Sequence, residues 1–199
     1  MLFRFNQNQS QQSLLDLKLI LRKLKNERKM KIKVRLINPN CKFEFIDKGE
    51  WIDLRAAQTV ELKGPFANTL NGKRDKRDVE FDYQLIPLGF AMKLPKDFEA
   101  LIVPRSGTFK NFGILMVNSQ GVIDSSYSGS NDEWKFPAVA LKDITILEGK
   151  RICQFRIQPS QKASVWTKIK WLFTNKIEFE YVDSLDDEDR GGIGSTGVN

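Results

Sequence analysis

The sequence predicts an all-β protein: a sandwich, a jelly roll or a barrel. From Met30 onward apolar and polar residues alternate with a period of two, as in "KIKVRLI" at 31–37. The runs are short, and Gly, Pro, Asn, Asp or Ser stands between most of them. Many short strands at such spacing are the mark of a two-sheet or closed β architecture. At 199 residues the chain is of a length for one domain with its own core.

Taken in order, "KIKVRLI" sets basic residues against Ile32, Val34 and Leu36, and "CKFEFI" at 41–46 puts Phe43 and Phe45 on one face. Further strands are expected at "TVEL" (59–62), "YQLIPLGFAMKL" (83–94), "EALIVP" (99–104), "FGILMVNS" (112–119) and "GVID" (121–124). "FPAVAL" (136–141), "ITIL" (144–147), "RICQFRIQP" (151–159) and "IEFEYV" (177–182) complete the set. Two stretches break the rhythm as insertions: a charged surface loop at 64–78, and 162–176, which has room for a helical turn. Ahead of the strands, Leu14, Leu17, Leu21 and Leu24 recur at helical spacing among lysines and arginines. This basic amphipathic helix has three readings: a solvated or partner-docking helix, a stretch upstream of a start at Met30, or a helix for a membrane surface or nucleic acid. Near the other end "DSLDDEDR" (183–190) has the composition of a mobile linker.

Composition excludes several chemistries. The sequence contains no histidine, which removes Ser-His-Asp and Cys-His catalysis and leaves carboxylate, lysine or tyrosine as general base. Cys41 and Cys153 are isolated from one another in strand-like runs, a pattern of buried reduced thiols and not of a zinc site or disulfide framework. Nine of the 32 basic but two of the 25 acidic residues fall in 1–33, so that segment holds the whole net charge of +7 and the rest is balanced. A body that tracks a phosphate backbone would be basic itself, so no nucleic-acid partner is expected. No apolar run approaches the roughly 20 residues a bilayer span needs and no secretory signal is evident, so a cytoplasmic protein without a membrane partner is expected.

Several short motifs carry chemistry, each with an ordinary alternative. "VPRSG" at 103–107 joins Arg105, Ser106 and Gly107, a cation, a hydroxyl and a glycine suited to phosphate oxygens, though such a stretch is often only a turn. Gln154 within "GKRICQF" (149–155) is an amide donor, or a polar residue on a solvent face. "NSQGVIDSSYSG" (118–129) reads as a hairpin with Gly121 at its turn, and Asp124 follows as an exposed acid or an Asp-Ser turn cap. Tyr127 in the same run is equally a core aromatic. "RGGIGSTG" at 190–197 fits the G-x-G-x-x-G pattern, but a dinucleotide loop needs a helix after it. The residues suit an anion all the same, through backbone N–H groups freed by glycine, the hydroxyls of Ser195 and Thr196, and the guanidinium of Arg190.

In order and together these segments resemble the five motifs of the trimeric dUTP diphosphatase (dUTPase) family, of the phage and bacterial type. "GEWIDLRAA" (49–57) is similar to the first, "PRSGTFKNFGI" (104–114) to the second, "GVIDSSYSG" (121–129) to the third, "GKRICQF" to the fourth and "RGGIGSTG" to the fifth. The resemblance implies a jelly-roll-like β-barrel over 30–188, an N-terminal extension over 1–29 and a flexible phosphate-capping arm over 189–199. It implies a homotrimer whose subunits share active sites, one lending its arm to a neighbour.

Position by position, the resemblance makes Asp124 the base that activates water against the α-phosphorus of dUTP, releasing dUMP and pyrophosphate. A carboxylate is ionised at neutral pH, so the missing histidine is no obstacle. Arg105, Ser106, Gly107 and Gln154 would grip the phosphates, and Arg190, Ser195 and Thr196 would cap them. Asn118, Gly121 and Val122 would read uracil, and Tyr127 would pack beneath deoxyribose. Mg²⁺ would ride mainly on the phosphates, as that ion prefers oxygen and water, with Asp53 holding metal-bound waters. Where many members carry an aromatic that stacks on uracil, this chain has Ile193; such stacking is worth roughly 1–3 kcal/mol, and Trp134 or Phe136 is the candidate for a replacing ring. Two other readings are a dCTP deaminase-like nucleotide enzyme and a regulatory protein of the same fold that binds a protein partner.

Overall fold

The computed structural model describes residue 18 and residues 29–43, 51–69, 77–174 and 176–192. The expected N-terminal helix, apart from Lys18, and Phe45, Ile193, Ser195 and Thr196 lie outside these residues. Within them the chain is strand-rich. β1 (Lys29–Leu36) lies between β14 (Lys176–Tyr181), parallel to it, and β7 (Phe90–Lys93), antiparallel. A second sheet runs β10 (Gly121–Asp124), β8 (Phe98–Pro104), β13 (Arg151–Pro159), β2 (Ile52–Arg55). A third is β6 (Tyr83–Pro87), β11 (Lys135–Ala140), β9 (Ile114–Met116). Two antiparallel pairs complete it: β12 (Ile144–Ile146) with β3 (Val60–Leu62), and β4 (Phe66–Thr69) with β5 (Arg77–Glu80). No described helix is long and apolar enough to cross a membrane.

Alternation does what the sequence leads one to expect. In β1, Ile32 and Val34 are fully buried while Lys31 and Lys33 are exposed, since successive strand residues face opposite ways. The inward side chains meet in an aromatic cluster. Phe43 packs edge-on against Phe90 at 5.0 Å, Phe155 at 5.6 Å and Phe179 at 4.7 Å, and Trp134 lies 4.9 Å from Phe90 and 5.4 Å from Phe155. Edge-to-face pairs of this kind add to plain burial.

Two expectations change here, and a third, the helical turn within 162–176, is met. The strand expected over 41–46 is not formed at 41–43: Pro39–Cys41 is a 3-10 turn, with the Asn38 side chain accepting from the Asn40 N–H and Pro39 at a helix-starting position where no donor is missed. Cys41 and Phe43 are buried all the same. The charged loop over 64–78 proves to hold a β-hairpin, β4 with β5, paired from Phe66↔Glu80 to Thr69↔Arg77. The break at 162–176 is a two-turn helix, α2 (Val165–Leu172), capped by Ser164 and anchored where Trp171 meets Phe98 at 5.5 Å; a shorter α1 (Thr108–Phe112) precedes it in the chain. Val165, Trp166 and Leu172 of α2 remain exposed.

Both thiols are buried, as isolated cysteines in apolar strands suggest. Burial, then the charges of Glu148 and Glu133, pushes the Cys41 thiol up to about 11, and burial pushes Cys153 well above its usual range. The thiolate is the reactive form. A chromogenic thiol reagent at pH 8 is therefore expected to find no reactive thiol in the folded protein and both after denaturation; rapid labelling of the native protein would contradict the burial.

Candidate active site

Three of the motifs converge because one sheet carries them side by side. Gln154 of β13 is in register with Asp53 of β2 on one side and Val103 of β8 on the other, and directly opposed residues show their side chains on the same face. Ile52 and Leu54 point into the core while Asp53 points the other way. At the end of β8 the chain turns through Arg105, Ser106 and Gly107 into α1. Thr108, buried, fastens that turn by accepting from the Arg105 N–H at 3.0 Å and donating to the Ile152 carbonyl at 2.7 Å.

The Asp53 carboxylate is clamped between two guanidiniums. Arg105 Nε donates to its Oδ1 at 2.7 Å and a terminal nitrogen of Arg151 donates to its Oδ2 at 2.9 Å. One carboxylate holding two arginines leaves an excess positive charge at this end of the sheet, with both cations already oriented. Cations held in place before a ligand arrives are what a preorganised anion site requires. Arg151 escaped the sequence reading, and the reason is a β-bulge. Counting back from Gln154, strict alternation would turn Arg151 toward the core. The register instead slips between Arg151 and Cys153, so Ile152 and Cys153 are both buried and Arg151 emerges beside Asp53. Bulges re-aim side chains in this way; two adjacent apolar residues, "IC", were the only trace in the sequence.

The third motif lies across the same sheet but at its other end. β10 runs antiparallel to β8 with Gly121↔Ile102 and Asp124↔Glu99. Asp124 is thus six residues along β8 from Arg105, about 20 Å at the rise of an extended strand. Its side chain is 62% exposed. The expected hairpin with Gly121 at its turn is not formed: β9 pairs with β11 and β10 with β8, in different sheets, and the turn between them falls at 117–120, where Ser119 takes the left-handed conformation (φ 57°) and Gly121 opens β10. A Cβ there would come 3.1 Å from Met116 Cε and 3.4 Å from Ile102 Cβ, so it is close packing, not turn geometry, that calls for a glycine. Asn118 in this turn and Val122 in β10 are exposed. Tyr127 is half-buried against the core with its hydroxyl donating to the Glu133 carbonyl at 3.0 Å; burial, then the charges of Asp132 and Glu133, raises its pKa.

The acidic run is fastened, not mobile. Leu185 is fully buried, Asp187 accepts from Lys93 and from Ser128, and Asp189 accepts from the Asn131 backbone and amide. These bonds, Lys93 foremost for Asp187 and the Asn131 N–H foremost for Asp189, hold both carboxyls below the usual range. Arg190 donates to Asp124 at 3.3 Å and to Ser126 at 2.8 Å. The candidates for a ring over uracil fail: Trp134 and Phe136 are fully buried in the core, the Trp134 Nε1 without a hydrogen-bond partner.

A protein-family model described as dUTPase matches residues 76–197, more than half of the sequence. The chain belongs to the dUTPase family. Among dUTPases it is 42% identical over 170 residues to the SPbeta prophage-derived deoxyuridine 5'-triphosphate nucleotidohydrolase of Bacillus subtilis, an alignment covering 85% of this chain and 99% of that one. The fold is shared with the dUTPase of Streptococcus mutans (TM-score 0.54, 18% identity), over 66% of this chain and 98% of that one. It is also shared with the dUTPase of Staphylococcus bacteriophage 80alpha (TM-score 0.50, 18% identity), over 67% and 93%. About a third of this dUTPase therefore lies outside the fold common to such structures.

Proposed function

We propose that the protein hydrolyses dUTP to dUMP and pyrophosphate by attack of water on the α-phosphorus, in active sites shared between the subunits of a homotrimer. The single observation that carries the mechanism is the double clamp of Asp53 by Arg105 and Arg151 beside Gln154, because it presents oriented positive charge to a polyphosphate. Membership of the dUTPase family and the deoxyuridine 5'-triphosphate nucleotidohydrolase activity by which the Bacillus prophage relative is named support the substrate. Distance supports sharing between subunits: with Asp124 about 20 Å from Arg105 along β8, one chain does not bring its base and its phosphate grip to the same phosphorus, so in this reading β10 of one subunit serves the cradle of another.

In this reading Arg105, Ser106, Gly107, Gln154 and Arg151 hold the phosphates and counter the charge that moves to the leaving pyrophosphate. Asp124 accepts the proton of the attacking water. Asn118, Gly121 and Val122 face uracil, Tyr127 closes off the sugar, and Arg190, Ser195 and Thr196 cap the terminal phosphates. Among the described residues no cluster of three or more metal-binding side chains exists, and both oxygens of Asp53 are taken by arginines. Mg²⁺ is thus expected on the substrate's own phosphates and water, as its chemistry favours, where it would neutralise phosphate charge. Asp53 then meets it only through water.

A panel of dUTP, dCTP, dTTP and UTP with Mg²⁺ tests the assignment: pyrophosphate is expected from dUTP well ahead of the others. Ammonia released from dCTP would move the chemistry to the base and establish the deaminase-like alternative. A regulatory role is a second reading, motivated by the 80alpha phage dUTPase, which controls transfer of virulence genes. The surfaces open to a protein partner are the β4–β5 hairpin and the apolar face of α2.

A further inference from the structure

The helix α2 turns its apolar side away from the domain. Val165, Ile169 and Leu172 follow one another at four and three residues, which aligns them on one face, and Trp166 borders that face. A helix packed on a globular body ordinarily sets such a stripe against the core. Here Val165 is 74% and Leu172 78% exposed, and Trp166 and Ile169 are exposed as well. The attachment lies on the other side. Trp171, two residues on from Ile169 and so nearly opposite it at 3.6 residues per turn, meets Phe98 at 5.5 Å.

The charge around the stripe has one sign. No Asp or Glu falls between Glu148 and Glu178, while Lys162, Lys168, Lys170 and Lys176 stand in or beside the helix, in a body whose charges otherwise balance. Lys168 and Lys170, the sequence neighbours of Ile169, lie on either side of the apolar face. Lys168 donates to the Gln161 carbonyl at 3.3 Å and the Lys170 ammonium lies 5.5 Å over the Trp166 ring, so both keep their charge at the borders of the stripe. Lys176 is paired with Glu178 at 3.6 Å.

An apolar stripe with a tryptophan at its edge and lysines on both flanks matches a helix lying in the headgroup layer of a membrane. The size of the patch favours lipid over protein. A two-turn helix is small beside the roughly 800 Å² per partner of a stable protein interface, whereas insertion into a bilayer gains with each apolar side chain that leaves water. We propose that α2 is a peripheral anchor for an anionic phospholipid bilayer: Val165, Trp166, Ile169 and Leu172 enter the headgroup layer, and Lys162, Lys168 and Lys170 meet its phosphates. The sequence pointed away from a membrane partner because no run is long enough to span one, but lying on a surface requires only one apolar face. Anchoring is independent of the nucleotide chemistry, and it leaves the cradle around Asp53 and Arg105 free.

Sedimentation of the full chain with vesicles of phosphatidylglycerol mixed with phosphatidylcholine tests this. The protein should pellet with them, stay in solution with phosphatidylcholine alone, and be released by high salt, which screens the lysines. Val165→Gln combined with Leu172→Gln should weaken binding about tenfold or more through the apolar surface lost, and Lys168→Glu with Lys170→Glu by at least about fivefold per lysine. Hydrolysis of dUTP in free solution should match that of the wild type in both variants. A second measurement needs no loss of binding: brominated phospholipid should quench the tryptophan fluorescence of the wild type, and Trp166→Phe should remove most of that quenching. The proposal is overturned if anionic vesicles bind nothing, if quenching is unaltered by Trp166→Phe, or if the Val165 and Leu172 variant binds as the wild type does, which would move the binding to the basic residues before β1. It is overturned equally if that variant loses its trimer or abolishes an association between trimers, since another copy of the chain then covers the stripe.

Discussion

Replacing Asp124 by asparagine is expected to lower kcat for dUTP by roughly 10²–10⁴-fold, the usual contribution of a positioned base. The amide keeps the size and shape of the side chain, which is 62% exposed at the end of β10, so the fold should persist. Binding of dUTP should change far less than turnover, because the proposed phosphate cradle around Arg105 and Asp53 is untouched. Single-turnover hydrolysis together with calorimetric binding separates the two. Turnover near that of the wild type would remove Asp124 from the role of base. Arg190 adds a further point, since its guanidinium loses an ionic partner in this variant while keeping Ser126. The variant should therefore show a more mobile Arg190, with its backbone N–H still held by Asp132.

The largest effect on stability is expected from Phe155→Ala, at about 3–5 kcal/mol. Phe155 is fully buried and touches Phe43, Phe90, Trp134 and Phe179, so truncation removes apolar surface and leaves a cavity among rings that cannot all collapse into it. At roughly 2–4 °C per kcal/mol for a domain of this size, the melting temperature should fall by about 6–20 °C. Urea unfolding and calorimetry measure it, and a loss below about 1 kcal/mol would mean that the cluster repacks. The same substitution should also raise KM, since Phe155 is adjacent to Gln154 in a strand whose other face carries the site.

Much was legible from local rules. A period of two marks strands wherever one face is buried and the other wet, as at Ile32 and Val34 against Lys31 and Lys33. The turn proposed to bind phosphate, Arg105 to Gly107, was visible because its residue types are chemically specific. What escaped depended on partners distant in sequence. Arg151 needed the bulge, Gly121 needed Met116 and Ile102, and Gly129, where a Cβ would meet the Asp189 backbone, needed a residue some sixty positions on. The acidic stretch misled for the same reason. Charge density argues for a solvated linker when neighbours are unknown, yet Lys93, Ser128 and Asn131 turn those carboxylates into fastenings. Trp134 and Phe136 looked available for a base because they follow the third motif closely, and the fold buries both.

The sequence by itself determined the all-β class, the chemistry open to a chain without histidine, and the order of motifs that marks a dUTPase. These depend on side-chain type and on spacing within a single strand or turn, which the chain carries wherever it folds. Only the tertiary structure decided that Asp53 is shared by two arginines, that Asp124 lies at the far end of the sheet from Arg105, and that Asp187, Asp189 and Arg190 are fastened beside the third motif. Each is a matter of register between strands and of packing between distant segments, and a shift of one residue in any pairing would have turned those side chains to the opposite face.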